Sequence, residues 1–154
     1  MSATGLDVFD KTLQTTHIWL DDVMETLGAD RQVAWKVLSV VLHKVRDCLP
    51  VELAAHFGAQ LPLLIRGVYY DQFQPGRQPS DCNSAEDFTA EVAEGLRDIR
   101  PVDPEEASKA VFATISRHIS PGQVLKVKDA LPMTVRLLWE GAEARQVAAA
   151  EIAI

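Results

Sequence analysis

Ala59-Gln60-Leu61-Pro62-Leu63-Leu64-Ile65-Arg66-Gly67-Val68-Tyr69-Tyr70 decides the fold, because a degenerate copy returns seventy residues later as Asp129-Ala130-Leu131-Pro132-Met133-Thr134-Val135-Arg136-Leu137-Leu138-Trp139. In both, Leu-Pro precedes an arginine that lies four residues beyond the proline, with apolar residues between. Proline fits the first turn of a helix and not its interior. Each copy therefore reads as a proline-initiated helix, the first with Leu61, Leu64, Ile65, Val68 and Tyr69 along one face. Self-similarity at a fixed spacing implies a repeated unit that buries its apolar face against its copy.

Working outward, Leu6, Phe9, Leu13, Ile18, Leu20, Val23, Met24 and Leu27 recur at helical spacing until Gly28. Asp30 stands at an N-cap position ahead of Ala34, Val37, Leu38, Val41, Leu42, Val45 and Leu49, an i, i+3, i+4, i+7 series over four turns. Pro50 makes a sharp joint into a short helix that Gly58 should end. The turn formers between Gln74 and Asp81 read as a linker. Beyond them Ser84-Ala85-Glu86-Asp87 resembles a capping box. Asp103-Pro104-Glu105-Glu106 combines an N-cap, a proline at the first position and two acids at the positive end of a helix. Ser120-Pro121 opens another short helix, and the echo of the first motif follows.

Trp19, Val23 and Leu27 correspond to Phe88, Val92 and Leu96, and Val41, Leu42, Val45 and Leu49 to Val111, Phe112, Ile115 and Ile119. No stretch alternates apolar and polar residues convincingly. The expected fold is all-α: two tandem four-helix repeats packed into one compact bundle with pseudo-twofold symmetry. The first repeat is placed at residues 1–73, the linker at 74–83, the second repeat at 84–141 and a helical tail at 142–154.

With 154 residues the chain is long enough to fold without staples. Its two cysteines, Cys48 in a helical pattern and Cys82 in the linker, are too few for a disulfide scaffold and lack metal-site spacing, so free thiols are expected. The net charge of -7 argues against a nucleic-acid partner, since phosphate affinity rests on clustered Lys and Arg. No apolar run approaches the roughly twenty residues that cross a bilayer, and the N-terminus lacks a basic region followed by an apolar run. A cytoplasmic address without a membrane partner is the expectation.

At Gln60 to Asp71, preceded by Val40-Val41-Leu42-His43-Lys44-Val45-Arg46-Asp47-Cys48-Leu49-Pro50, the chain resembles a bacterial family known as domain of unknown function 2267. The resemblance covers nearly the whole length and implies an all-helical bacterial protein of two tandem units. It brings no activity, substrate or catalytic residue. Phe73 stands where that family is expected to favour tryptophan.

Arg66 and Arg136 occupy the same place in each copy, and a guanidinium there could clamp a carboxylate or phosphate in two-pronged fashion. The structural alternative is that each binds helix-end carbonyls or pairs with an acid of the opposite half. Arg66, Gly67, Tyr69 and Tyr70 form the densest polar and aromatic cluster, where Gly67 would admit a ligand or backbone and a tyrosine would anchor it. The plainer view is that the tyrosines close the core beneath the linker. His17 with Asp21, and His43 with Asp47, lie one turn apart without a third ligand, so they read as solvated helix faces and no metal is expected. No nucleophile elbow, phosphate-cradling loop or cofactor fingerprint is present. The expected role is a non-catalytic interaction or small-ligand-binding module, with a protein partner or a second copy of the chain as partner. The alternative is an enzyme or enzyme accessory acting on a small anionic ligand in the cleft between the repeats.

Overall fold

A computed structural model describes residues 2–153; Met1 and Ile154, which bound the expected first repeat and tail, lie outside it. Among the described residues there are eight α-helices and no strand: α1 Asp7–Leu27, α2 Arg31–Cys48, α3 Val51–Ala59, α4 Leu63–Tyr70, α5 Ala85–Gly95, α6 Pro104–His118, α7 Pro121–Ala130 and α8 Met133–Ile152. A 3-10 turn, Pro75–Arg77, interrupts the linker.

The helix starts follow local chemistry. Asp30 accepts from Val33 N at 2.9 Å, Ser84 from Asp87 N at 3.1 Å, Ser120 from Gln123 N at 3.4 Å, and Asp103 from Glu105 N at 2.9 Å. Each satisfies an amide that the first turn leaves without an intrahelical partner. Gly28, in the left-handed conformation at φ 63°, ends α1 and lets α2 turn back upon it.

Packing crosses between the halves. Helices α2 and α6 lie against each other at the centre, α1 packs on α6 and α5 on α2. Val37, Leu38, Val41, Leu42 and Val45 are fully or almost fully buried, as are Val111, Phe112 and Ile115. Phe112 stacks on Trp139 with centroids 4.4 Å apart. Close approach of α5 to α2 depends on Gly95, where a Cβ would stand 2.6 Å from Val40 Cγ1. Residues 51–70 and 121–140 are buried, half-buried and exposed at the same positions, Gly58 and Lys128 excepted.

Two features depart from expectation. No break separates a tail from the fourth helix of the second half, because α8 runs unbroken through Gly141 to Ile152. And the cysteines are not free: Cys48 and Cys82 form a disulfide, their Cα atoms 5.6 Å apart. The reason is the path of the linker, which folds back over the end of α2. Gln78 Nε2 donates to the carbonyls of Arg46 and Leu49 at 2.6 and 2.9 Å, and Ser80 N donates to Asp47 O at 2.7 Å. These bonds bring Cys82 beside Cys48 across 34 residues of sequence. Closing a loop of that length should contribute ~4 kcal/mol through the unfolded chain. In denaturant titrations under oxidising conditions, Cys82→Ser should lose about that amount. With a thiol reductant present, wild type and variant should unfold at the same midpoint.

Candidate functional site

The sequence-selected cluster lies at the end of α4. Tyr69 is fully buried, and its hydroxyl donates to Ala54 O at 2.6 Å. Burial, with Tyr70 adding to it, pushes the phenol far above its ordinary value near 10. Tyr70 is half-buried, edge-on to Tyr69 at 5.0 Å and tilted against Phe73 at 5.7 Å. The tyrosines thus pack between α3 and α4.

Arg66 binds the end of the preceding helix, its Nη2 donating to Ala59 O at 3.1 Å and to Leu61 O at 2.9 Å. Arg136 instead meets acids of its own half, Asp129 and, at 3.5 Å, Glu140. The difference follows from sequence: the counterpart of Ala59, which offers only a carbonyl, is Asp129, whose carboxylate intercepts the guanidinium. The two arginines share no partner and line none of the cavities described below.

Gly67 is exposed, and a Cβ there would meet nothing within 4 Å. The tight glycine is Gly58, which lies inside α3 rather than ending it. A Cβ there would stand 2.5 Å from Tyr70 Oη and 2.8 Å from Tyr69 Cε2.

Two residues of α2 hold this corner together, Arg46, to which the sequence assigned no role, and His43, which it placed on a solvated face. Arg46, 3% exposed, donates from Nη1 to Tyr69 O at 2.6 Å and Asp71 O at 2.8 Å, and from Nε to Asp47 Oδ1 at 2.9 Å. Its guanidinium also lies 5.4 Å from the centre of the Phe73 ring. His43 is half-buried rather than on a solvated face, and its Nε2–H donates to Val68 O at 2.6 Å. Together they bond carbonyls at and just beyond the end of α4, those of Val68, Tyr69 and Asp71. Seventy residues on, Ala113 and Ser116 stand at these positions, and α8 continues. The available signal was a cation set directly beside the buried Val45 of the apolar series.

Two grooves are of interest, the second bordering this corner through His43, Val68 and Asp71. The larger, about 610 Å³, runs between α1, α6 and α8. The second, about 490 Å³, runs over α2 between α4 and α5. Their linings correspond: Ser39, His43, Lys44 and Asp47 of α2 to Lys109, Ala113, Thr114 and Arg117 of α6 at a spacing of seventy, and Glu91 and Gly95 to Asp22 and Thr26 at sixty-nine. Each groove is crossed by an acid of one half facing a cation of the other, Asp22 with Arg117 at 2.7 Å and Glu91 with Lys44 at 3.9 Å. The α6 groove is lined by Ala113, Ala142, Ala149 and Ala150 together with Lys109, Arg117 and Arg145 and the acids Asp22 and Glu25. At its rim Arg145 Nη1 donates to Glu106 Oε2 at 2.7 Å, a bond that holds the Glu106 carboxyl below the usual carboxylate range and raises the guanidinium. Residues from three distant helices make each groove, which is why neither was visible in a linear reading.

Two measurements check this corner. Gly58→Ala should cost about 1–3 kcal/mol by overpacking the tyrosines, whereas Gly67→Ala, in open helix, should gain about 0.5–1 kcal/mol. Burial is the first cause of the lowered pKa of His43, with Arg46 adding to it against the Val68 bond. The folded value therefore lies below the ordinary one near 6.5, and the unfolded chain binds the extra proton first. His43 should leave stability intact above that value and cost stability as pH falls below it. His43→Gln, which keeps a donor for Val68, should remove this component from the difference between the two stability profiles.

The family model described as uncharacterized conserved protein (DUF2267) matches residues 16–138. No curated protein matches the chain. The matched span runs from the buried part of α1 into the first turns of α8; it includes α4, the whole lining of the α2 groove and half of the lining of the α6 groove. The chain is a member of the uncharacterized conserved protein family DUF2267.

Proposed function

We propose that the protein is a non-catalytic binding module built as two related halves, and that its principal ligand is a small amphipathic anion held in the groove between α1, α6 and α8. The observation that carries this reading is the lining of that groove: four alanines beside three cations that outnumber the acids Asp22 and Glu25, in a cavity of about 610 Å³. That size and mixture of apolar surface with a few polar groups suit a small organic ligand. The reading relocates the anionic ligand from the neighbourhood of Arg66 and Arg136 to a cleft that still draws its walls from both halves.

The rim cations are already paired, Arg117 with Asp22 and Arg145 with Glu106, but both arginine side chains are about half exposed, at 48% and 52%. Exposed pairs of this kind are worth little. A ligand carboxylate can therefore exchange for a protein carboxylate at small cost, while the ligand's apolar body covers the alanines. The corresponding groove over α2 and the matching exposure of residues 51–70 and 121–140 support two-repeat ancestry for the module.

No described helix is long and apolar enough to cross a membrane. Within this reading the protein works in the cytoplasm without a nucleic-acid partner. A reducing compartment would there keep Cys48 and Cys82 open.

Decanoate, a carboxylate on an aliphatic tail, is a suitable probe in calorimetric titration. Saturable binding is expected. Ala149→Phe, a change at an exposed position that fills the groove, should abolish it, and Arg145→Ala should weaken it by roughly tenfold, the loss of one charge-assisted contact. Absence of saturation in the wild type, or equal affinity in Ala149→Phe, would overturn the assignment.

A further inference from the structure

The groove over α2 contains a lysine that the fold leaves short of an acceptor. Lys44 sits among the buried residues of α2 with its side chain 9% exposed. Among the described residues its ammonium donates no hydrogen bond, and its facing charge, Glu91 Oε1, stands 3.9 Å away, beyond hydrogen-bonding distance, on a side chain that is 63% exposed. The stem is buried while the ammonium reaches the groove, so its three donors are open to acceptors that enter from there. At the counterpart position Thr114 of α6 is buried, and its hydroxyl donates to Ala110 O at 2.8 Å within its own helix.

Lys44 lines an open cavity of about 490 Å³, so an acceptor can reach it from solvent. The other charged groups limit what that acceptor belongs to. Lys36 adds a second cation, while Asp47, Asp71 and Glu91 also line the groove, and Asp47 alone of these is engaged by Arg46. A simple anion would be drawn to Lys44 and Lys36 but repelled by Asp71 and Glu91. A molecule carrying both a carboxylate and an ammonium satisfies the two sets together. Trp35 and Val40 offer apolar surface beside them.

The geometry points to a second binding site on α2 for a small zwitterionic carboxylate, a free α-amino acid being the simplest case, with its carboxylate on Lys44 and its ammonium toward Asp71 and Glu91. This site is independent of the α6 groove and of the reading given for it. Its ligand differs in needing both charges.

Amide resonances in two-dimensional NMR spectra of the intact chain distinguish the sites, since Lys44 and Gly95 report on the α2 groove and Thr114 and Arg117 on the α6 groove. L-leucine should give saturable shifts at Lys44 and Gly95, and acetate at matched ionic strength should bind there at least roughly tenfold more weakly, lacking the second charge. Lys44→Met should lose the leucine response and Lys44→Arg keep it. Should Lys44→Met fail to fold, Glu91→Gln at an exposed position serves instead. It should weaken leucine binding while strengthening the acetate response, since one of the two repelling carboxylates is gone. Unsaturable leucine shifts, equal affinity for leucine and acetate, an undiminished response in a folded Lys44→Met, or in Glu91→Gln where Lys44→Met does not fold, or shifts confined to Thr114 and Arg117 would each overturn the assignment.

Discussion

Neither half of this chain can cover its own second helix. Helix α2 is lined with apolar residues on more than one side, and α5, from the other half, supplies one of its roofs, while α1 does the same for α6. The two central helices then bury their remaining faces against each other. Hydrophobic burial of this kind is the dominant favourable term in folding, and here it can be collected only when both halves are present. The cross-packing also creates the grooves, because the first helix of one half lies beside the second helix of the other and leaves a trough along their shared edge. Architecture and candidate binding surface therefore have the same origin.

The halves diverge where polar residues replace apolar ones on the central helices. In the first, Arg46 and His43 gather carbonyls at the end of α4, the chain leaves the helix at Tyr70, and Gln72 adopts a positive φ of 63°. In the second, Ser116 sits between the Trp139 indole, which donates to it, and Glu143, to which it donates. Lys128 joins the same carboxylate at 2.7 Å. Nothing there competes for the carbonyls of α8, and the helix runs on to supply Gln146, Ala149 and Ala150 to the larger groove. The segments that follow differ as well, since Pro75, Gly76 and Pro79 follow α4 whereas the alanine-rich residues 142–150 continue α8 into the larger groove.

What could be read from the sequence was whatever depends on neighbours along the chain. The stripe from Ala34 to Leu49, the caps at Asp30, Ser84 and Asp103, and the proline starts at Pro62 and Pro132 are local, and all are found in the helices. The Leu-Pro-x-x-x-Arg echo located two equivalent joints, but an echo in sequence does not fix partners: Ala59 against Asp129 was enough to send Arg66 to carbonyls and Arg136 to carboxylates. Gly67 and Gly58 show the same limit, since composition cannot say which glycine faces a tyrosine ring. The disulfide and both grooves depend on contacts between residues far apart in the chain, and no local pattern encodes them.

The clamped linker has a topological consequence. With Cys82 fastened to α2, only Asn83 and Ser84 separate the anchor from the start of α5 at Ala85. The second half is thereby leashed to the first by two residues instead of a dozen, and a short leash holds a partner at high local concentration. Proteins whose halves complete each other's cores are prone to exchange them between molecules. Closing this bridge ties the placement of α5 on α2 to the redox state of one cysteine pair.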